Sequence, residues 1–364
     1  MLTNHQEITK PSKSLYAPIH QPTLKVIGLG GGGGNAVDRM MELGMRGVEF
    51  ITANTDLQAL ERGQAPVKIQ LGPRCTRGLG AGGQPQIGQA AAEESWKDLA
   101  QALQGADMVF LTAGMGGGTG TGSIPVVAKI ARKVGAVAIA VVTTPFSFEM
   151  GRRQHNATEG LGKLNQHVDT LISIPNDRLL FVAPKHLPLD TAFRLADDVL
   201  RQAVQSITEL ITEPGLINVD FAHIRRMMQL GGGALMTIGF GSGENKALKA
   251  VHQAINHPLL GEVSLANAAG VICNFTAGDD LSLVEVSQAL LFLQEQTNNS
   301  TEIVMGTTQN PEMEDRVQVN LVITGLGAQT LEDVLPGSEK INEAPIKVEK
   351  RTLVQPAQPV NVNN

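Results

Sequence analysis

Between residues 107 and 132 the chain passes from the apolar run Asp107–Met115 to Gly116-Gly117-Gly118-Thr119-Gly120-Thr121-Gly122, and then to the helix-like stretch Ser123–Arg132. Strand, glycine turn and helix start in that order build an anion site. Glycine lets backbone approach a ligand closely, and the unpaired N–H groups of a helix start point at it. Thr119 and Thr121 add hydroxyl donors. Packing a core requires no such density of glycine, and a flexible linker would not sit so tightly between two apolar elements.

The flanking sequence predicts the frame around this turn. Leu24–Gly28 and Val48–Ala53 read as buried strands, Ala36–Leu43 as a helix between them, and Ala136–Val142 and Thr170–Ile174 as further strands. Continuous apolar strands separated by helices indicate a parallel sheet covered on both faces. A long helix follows over about 188–212, with Leu195, Val199, Ala203, Ile207 and Leu210 on one face and Pro214-Gly215 ending it. A second break, Gly231–Gly233, opens a smaller α/β region. Its strands are Gly270–Phe275, Glu302–Met305 and Val317–Thr324, and its helices Glu244–Asn256 and Leu283–Glu295. The expected organisation is a disordered arm over 1–22 and a nucleotide-binding domain over 23–187. A central helix with its following loop covers 188–230, a C-terminal α/β domain 231–328 and a mobile tail 329–364.

Composition removes several classes. A net charge of −6 without a basic cluster argues against nucleic acid, and 3% aromatic residues leave little for base stacking. Cys75 and Cys273 are far apart and lack metal-ligand spacing, which fits a reduced cytoplasmic protein. Residues 1–21 hold no apolar core like that of a signal peptide, and no segment reaches the roughly 18 apolar residues of a membrane span. Membrane contact is expected to be indirect only.

A further glycine run, Gly28 and Gly30–Gly34 followed by Asn35, lies between the first strand and helix. Gly28, Gly30 and Gly33 match the Gly-x-Gly-x-x-Gly spacing of dinucleotide sites, with Glu49 or Asp56 as the acid expected about 20 residues on. Two phosphate grips in one sheet suit a triphosphate better than the pyrophosphate of NAD. Neither run has the Gly-x-x-x-x-Gly-Lys-Ser/Thr pattern, so the charge must be met by backbone dipoles, hydroxyls and a divalent cation, Mg²⁺ foremost.

With these motifs the chain resembles the tubulin/FtsZ family over about residues 23–328. The run Gly116–Gly122 carries the resemblance. Gly30–Asn35, Asn54-Thr55-Asp56, Gly78–Gly82 and Thr144–Glu149 reinforce it in the family's order. The resemblance implies a Rossmann-type parallel-sheet GTPase domain, a long central helix and a smaller C-terminal α/β domain, with GTP or GDP as ligand. It implies that Gly31, Gly32 and Asn35 line the nucleotide and that Gly78–Gly82, hence Gly80, Ala81 and Gly82, close over the γ-phosphate. Gly117, Gly118, Thr119, Gly120 and Thr121 would hold the phosphates. Glu149 would meet the ribose with Arg153 nearby, and Phe193 and Asp197 would hold guanine. A carboxylate accepts from both N1–H and N2–H of guanine, whereas adenine N1 is an acceptor, and such a bidentate pair is worth about 1–3 kcal/mol.

The resemblance also assigns Asn218, Asp220 and His223 to a loop that reaches the nucleotide of the next subunit in a head-to-tail filament. There they would orient water and bind Mg²⁺ or K⁺, with Asp220 as the metal ligand. The family has a second acid where this chain has His223, which removes an oxygen ligand but leaves an acceptor for water. Met150-Gly151 departs from the usual glycine after Glu149, and residues 329–364 lack the family's apolar and basic adaptor peptide. His155, His167, His186, His252 and His257 are expected at the surface or at caps, and Asp279-Asp280 at a helix start. The function so implied is GTP-dependent assembly of filaments of the division ring in the cytoplasm, with hydrolysis at the subunit interface. The partners implied are the chain itself, a paralogue and division-ring adaptors. Two other readings stand beside it: a weakly hydrolysing paralogue that co-assembles, and a nicotinamide-dependent oxidoreductase.

Overall fold

A computed structural model describes residues 21–149, 151–181, 186, 188–212, 219–260, 264–297 and 301–326. Residues 1–20 of the expected arm, the expected tail, Met150, Pro214-Gly215 and Asn218 fall outside these. In chain order come β1 (Leu24–Leu29), α1 (Gly30–Glu42), β2 (Glu49–Asn54), α2 (Leu57–Arg62), β3 (Val67–Gln70), α3 (Pro85–Glu94) and α4 (Trp96–Leu103). Next are β4 (Met108–Gly114), α5 (Thr119–Lys133), β5 (Val137–Thr144), α6 (Arg152–Asn165), β6 (Thr170–Pro175) and α7 (Asn176–Leu179). Then follow α8 (Leu189–Thr212), α9 (Phe221–Met228), β7 (Gly233–Ser242) and α10 (Lys246–Ile255). The last elements are β8 (Gly270–Ala277), α11 (Leu283–Gln296), β9 (Glu302–Gln309) and β10 (Arg316–Thr324).

The strands β1 to β6 pair in parallel, and β1, β5 and β6 are buried along their whole length. Side chains alternate between the two faces of a strand, so each face carries its own core. Val26, Phe110 and Ile139 face α1, α8 and α9. Ile27, Leu111 and Ala138 face α4, α5 and α6. The long helix buries Val199, Ala203, Ile207 and Leu210, with Leu195 packed at the margin, which is the face its spacing predicts.

The C-terminal strands continue the sheet of the N-terminal region. Strand β7 pairs with β6 in parallel through Leu171–Gly233 and Ile172–Ala234, and with β10 in antiparallel. The ten strands therefore form one sheet in the order β3-β2-β1-β4-β5-β6-β7-β10-β8-β9. Glycine obscures β7 in the sequence. A Cβ at Gly239 would stand 2.0 Å from the Ala250 carbonyl oxygen, and one at Gly241 would stand 1.9 Å from that of Lys246. The strand is glycine-rich because α10 lies directly on it.

The expected role of the Asp279-Asp280 pair is corrected. Ser282 caps α11, with Glu285 returning the bond to the Ser282 N–H at 3.2 Å. Asp280 instead neutralises Lys246, whose side chain is almost wholly buried, at 2.7 Å. Such a pair is retained because an unpaired buried charge is costly.

Gly239→Ala is expected to destabilise the protein by about 1–3 kcal/mol through overpacking against α10. Gly162→Ala, in α6 with open space around it, is expected to stabilise by up to about 1 kcal/mol. Urea unfolding midpoints of the two variants test the contrast.

Candidate functional site

Six parallel strands end on one edge of the sheet, and the loops that leave β1 to β6 gather there. In open parallel sheets this edge is where ligands bind. The two glycine runs meet on it. Gly30–Gly34 form the first turns of α1, and Thr119–Gly122 the first turn of α5, so both helices begin earlier than their apolar residues indicate. Gly30 has φ +70°, and a Cβ there would lie 2.8 Å from the Gly120 nitrogen. Neither helix carries an acidic residue in its first turn. Two helix N-termini with their unpaired N–H groups thus converge on one spot without an opposing charge.

A ring of hydrogen bonds fixes the surrounding loops. The Thr55 and Thr119 hydroxyls lie 2.6 Å apart. The Gly80 N–H donates to the Thr55 carbonyl at 3.2 Å, and the Leu57 N–H to that of Gly78 at 3.1 Å. Asn156 donates to the carbonyls of both Gly83 and Gly116 at 3.2 Å, tying the 78–83 loop to the 116–118 loop. Gly118 stands against Gln84 and Ala81. Gly80, Ala81 and Gly82 are therefore held beside Gly117, Gly118, Thr119 and Gly120. Thr121 differs from its expected use. Its side chain is buried, and its hydroxyl accepts the Gly116 N–H at 2.8 Å, so it braces the loop from within.

Gly31 and Asn35 line a small cavity with Asp38 and Asn54, and Gly32 packs on Gly114. Glu149 accepts from the Phe146 N–H at 2.9 Å and pairs with Arg153 at 2.9 Å. Phe193, at the start of α8, meets buried Phe146 edge-on at 5.6 Å between centroids and leaves much of its ring exposed. Of the neighbouring acids, Asp198 pairs with Arg201 at 2.8 Å. Asp197 makes no ion pair within 4.0 Å among the described residues. Burial pushes its carboxyl up to about 7, against the opposing pull of Arg194 and Arg39. Asn176, at the end of β6, is buried with its Oδ1 unpaired. A half-buried acceptor, an exposed ring and a buried amide are the groups an amide-edged base with a sugar would use.

Asp220 and His223 are elsewhere. From Asp197 to Thr212, α8 rises about 22 Å at 1.5 Å per residue. Its end meets Gly47, which precedes β2, and the C-terminus of α9 meets Thr170 at the start of β6. Asp220 and His223 therefore lie at the opposite edge of the sheet from the glycine loops. Asp220 caps α9, its Oδ1 accepting the Ala222 N–H at 3.2 Å. His223 Nε2 is 2.8 Å from Glu302 Oε1, and Arg226 binds the same carboxylate oxygen.

Residues 23–184 match the GTPase domain of the Tubulin/FtsZ family, and residues 232–327 match the FtsZ-family C-terminal domain. An empty FtsZ dimer from M. jannaschii is 45% identical, with a TM-score of 0.80 over 84% of this chain and 89% of that one. The chain belongs to the FtsZ family. CetZ2 from Haloferax volcanii, solved as a GTPγS-bound protofilament, shares the fold at 19% identity and a TM-score of 0.72, over 86% of this chain and 96% of that one.

Within this FtsZ-family site, several groups escaped the sequence reading. Thr55 sits inside the Asn54-Thr55-Asp56 motif, and Asn176 directly follows an apolar strand, so both had a local signal. Asn156 and Glu302 had none. Among the described residues no three His, Cys, Asp or Glu side chains form a metal cage, and no helix is long and apolar enough to cross a membrane.

Asp197 has a consequence for stability. Its folded-state value is raised from 3.8 to about 7, so ionisation opposes folding. The penalty is absent below the unfolded value, grows as pH rises through this window and stays constant above it. Asp197→Asn is expected to stabilise the nucleotide-free protein by about 1–3 kcal/mol at about pH 8, and by less at about pH 5. Urea titrations at the two pH values measure the difference.

Proposed function

We propose that this protein is a GTP-dependent, self-assembling cytoskeletal GTPase whose head-to-tail filaments form the cytoplasmic division ring. The observation that carries the reading is the separation of the glycine loops from Asp220 and His223 by the length of α8. Within one chain these groups cannot meet around one nucleotide. A second copy stacked on the first brings the lower edge of one to the upper edge of the other. The M. jannaschii relative, solved as a dimer, supports self-association.

In this reading the starts of α1 and α5 receive the phosphates through backbone N–H groups. The 78–83 loop covers them, and ionised Asp197 accepts the two N–H groups of guanine. Phe193 and Glu149 bound the base and ribose, with Asn176 offering its unpaired oxygen. Asp220, already fixed as the cap of α9, orients water from the neighbouring copy, and Asn218 is assigned to the same task by the family resemblance. Mg²⁺, or K⁺ as the alternative ion, would accompany the triphosphate and offset its charge, with Asp220 as the side chain that would bind it. A paralogue and adaptor proteins would complete the ring and its indirect contact with the membrane. His223 favours a second reading, a slow hydrolysing paralogue that co-assembles, because it removes one of two acids from the catalytic loop.

GTP, and not GDP, is expected to make the protein sediment, and phosphate release should begin only above a threshold protein concentration. Asp220→Ala should bind GTP normally and release phosphate at least about 100-fold more slowly. Asp197→Ala should fail to hold GTP. A mixture of the two variants should recover turnover that neither shows alone, because each supplies the half-site the other lacks. Turnover linear in protein, with no threshold and no recovery on mixing, would sink the filament reading. Collection of a fluorescent fusion at midcell in dividing cells tests the ring.

A further inference from the structure

We infer that Glu302 is a positioning residue for hydrolysis, holding His223 as the acceptor that stands in for the missing acid. The inference rests on the head-to-tail reading above. Residue 223 is on α9 of the catalytic loop, whereas Glu302 opens β9 of the C-terminal region, 79 positions later in the chain. The fold nevertheless brings Glu302 Oε1 to 2.8 Å from His223 Nε2, a good charge-assisted hydrogen-bond distance.

The carboxylate is itself held firmly. Its main chain pairs with β8 in the register Gly270–Glu302, and its N–H donates to the Ala269 carbonyl at 3.1 Å. Arg226, one turn along α9 from His223, binds Oε1 as well. The Arg226 guanidinium lies 3.5 Å from Nε2, too far for a strong bond, so the short contact of Nε2 is with the carboxylate. A neutral imidazole that gives its Nε2–H to Glu302 must carry its free lone pair on Nδ1. Nδ1 then accepts a hydrogen bond from water, which is the service the absent carboxylate would render.

The same geometry explains why an acid at 223 is unfavourable in this chain. An aspartate there would project toward Glu302, and two carboxylates would share Arg226. Positions 223 and 302 therefore work as a pair: histidine with glutamate, or an acid at 223 without one at 302.

The pairing is tested by phosphate release per sedimented subunit in the full chain. Glu302→Ala should lower it about 10–100-fold, while GTP-dependent sedimentation and bound-nucleotide content stay within about twofold of the parent. His223→Asp alone should bring no gain. His223→Asp combined with Glu302→Ala should return the rate at least to that of the parent. A purely structural role for Glu302 predicts an earlier melt and poorer assembly, with no rescue by aspartate at 223. The inference is overturned if Glu302→Ala hydrolyses like the parent, or if His223→Asp raises the rate equally with either residue at 302. Failure of the parent itself to sediment with GTP overturns the head-to-tail reading instead, so the two failures are distinct.

Discussion

The contact between the first turns of α1 and α5 is the constraint on which the site depends. Gly30 and Gly120 let two helix starts approach at a distance that a single added methyl would prevent. That approach places two sets of unpaired N–H groups on one point, with no acid in either first turn to oppose an anion. It also explains the absence of a phosphate-binding lysine from the motifs. A cradle made of two dipoles and fixed loops needs less from any one side chain. Thr55, Asn156 and Thr121 then serve as braces for the loops around that point.

The second constraint is the length of α8. One end carries Phe193 and Asp197 beside the glycine loops, and the other reaches the far edge of the sheet near Gly47. Its apolar face is buried against the sheet along the way, so it cannot shorten the separation by moving. A stiff helix packed on a continuous core therefore keeps binding groups and Asp220 apart. The continuity of the sheet through β7 extends this rigidity to the C-terminal strands.

How much of this was legible in the sequence follows from which interactions are local. The parallel strands, the long helix and the glycine runs announce themselves through apolar continuity, helical spacing and composition within short windows. Strand β7 did not, because Gly239 and Gly241 answer to α10 rather than to strand propensity. The early starts of α1 and α5 were hidden for a similar reason: glycine is a poor helix former, and only tertiary packing holds it in a first turn. The family resemblance points to Asp197 as a candidate site residue, but its raised carboxyl is a property of burial that no motif carries. Asp280 was misread as a cap because its partner, Lys246, lies in another helix.

His223 shows the same limit at the level of function. Taken alone, histidine in place of an acid is a loss of charge and of a ligand oxygen. With Glu302 and Arg226 in place it becomes one member of a three-residue cluster whose net charge differs little from that of an acid beside an arginine. A carboxylate is thus present on this face of the molecule, on β9 and in contact with the imidazole. On the head-to-tail reading proposed above, a residue supplied by the C-terminal region thereby bears on a loop that would serve the next subunit's nucleotide. Any shift between β9 and α9 would alter the water-orienting group before it altered nucleotide binding, since the glycine cradle is built wholly from the opposite edge of the sheet.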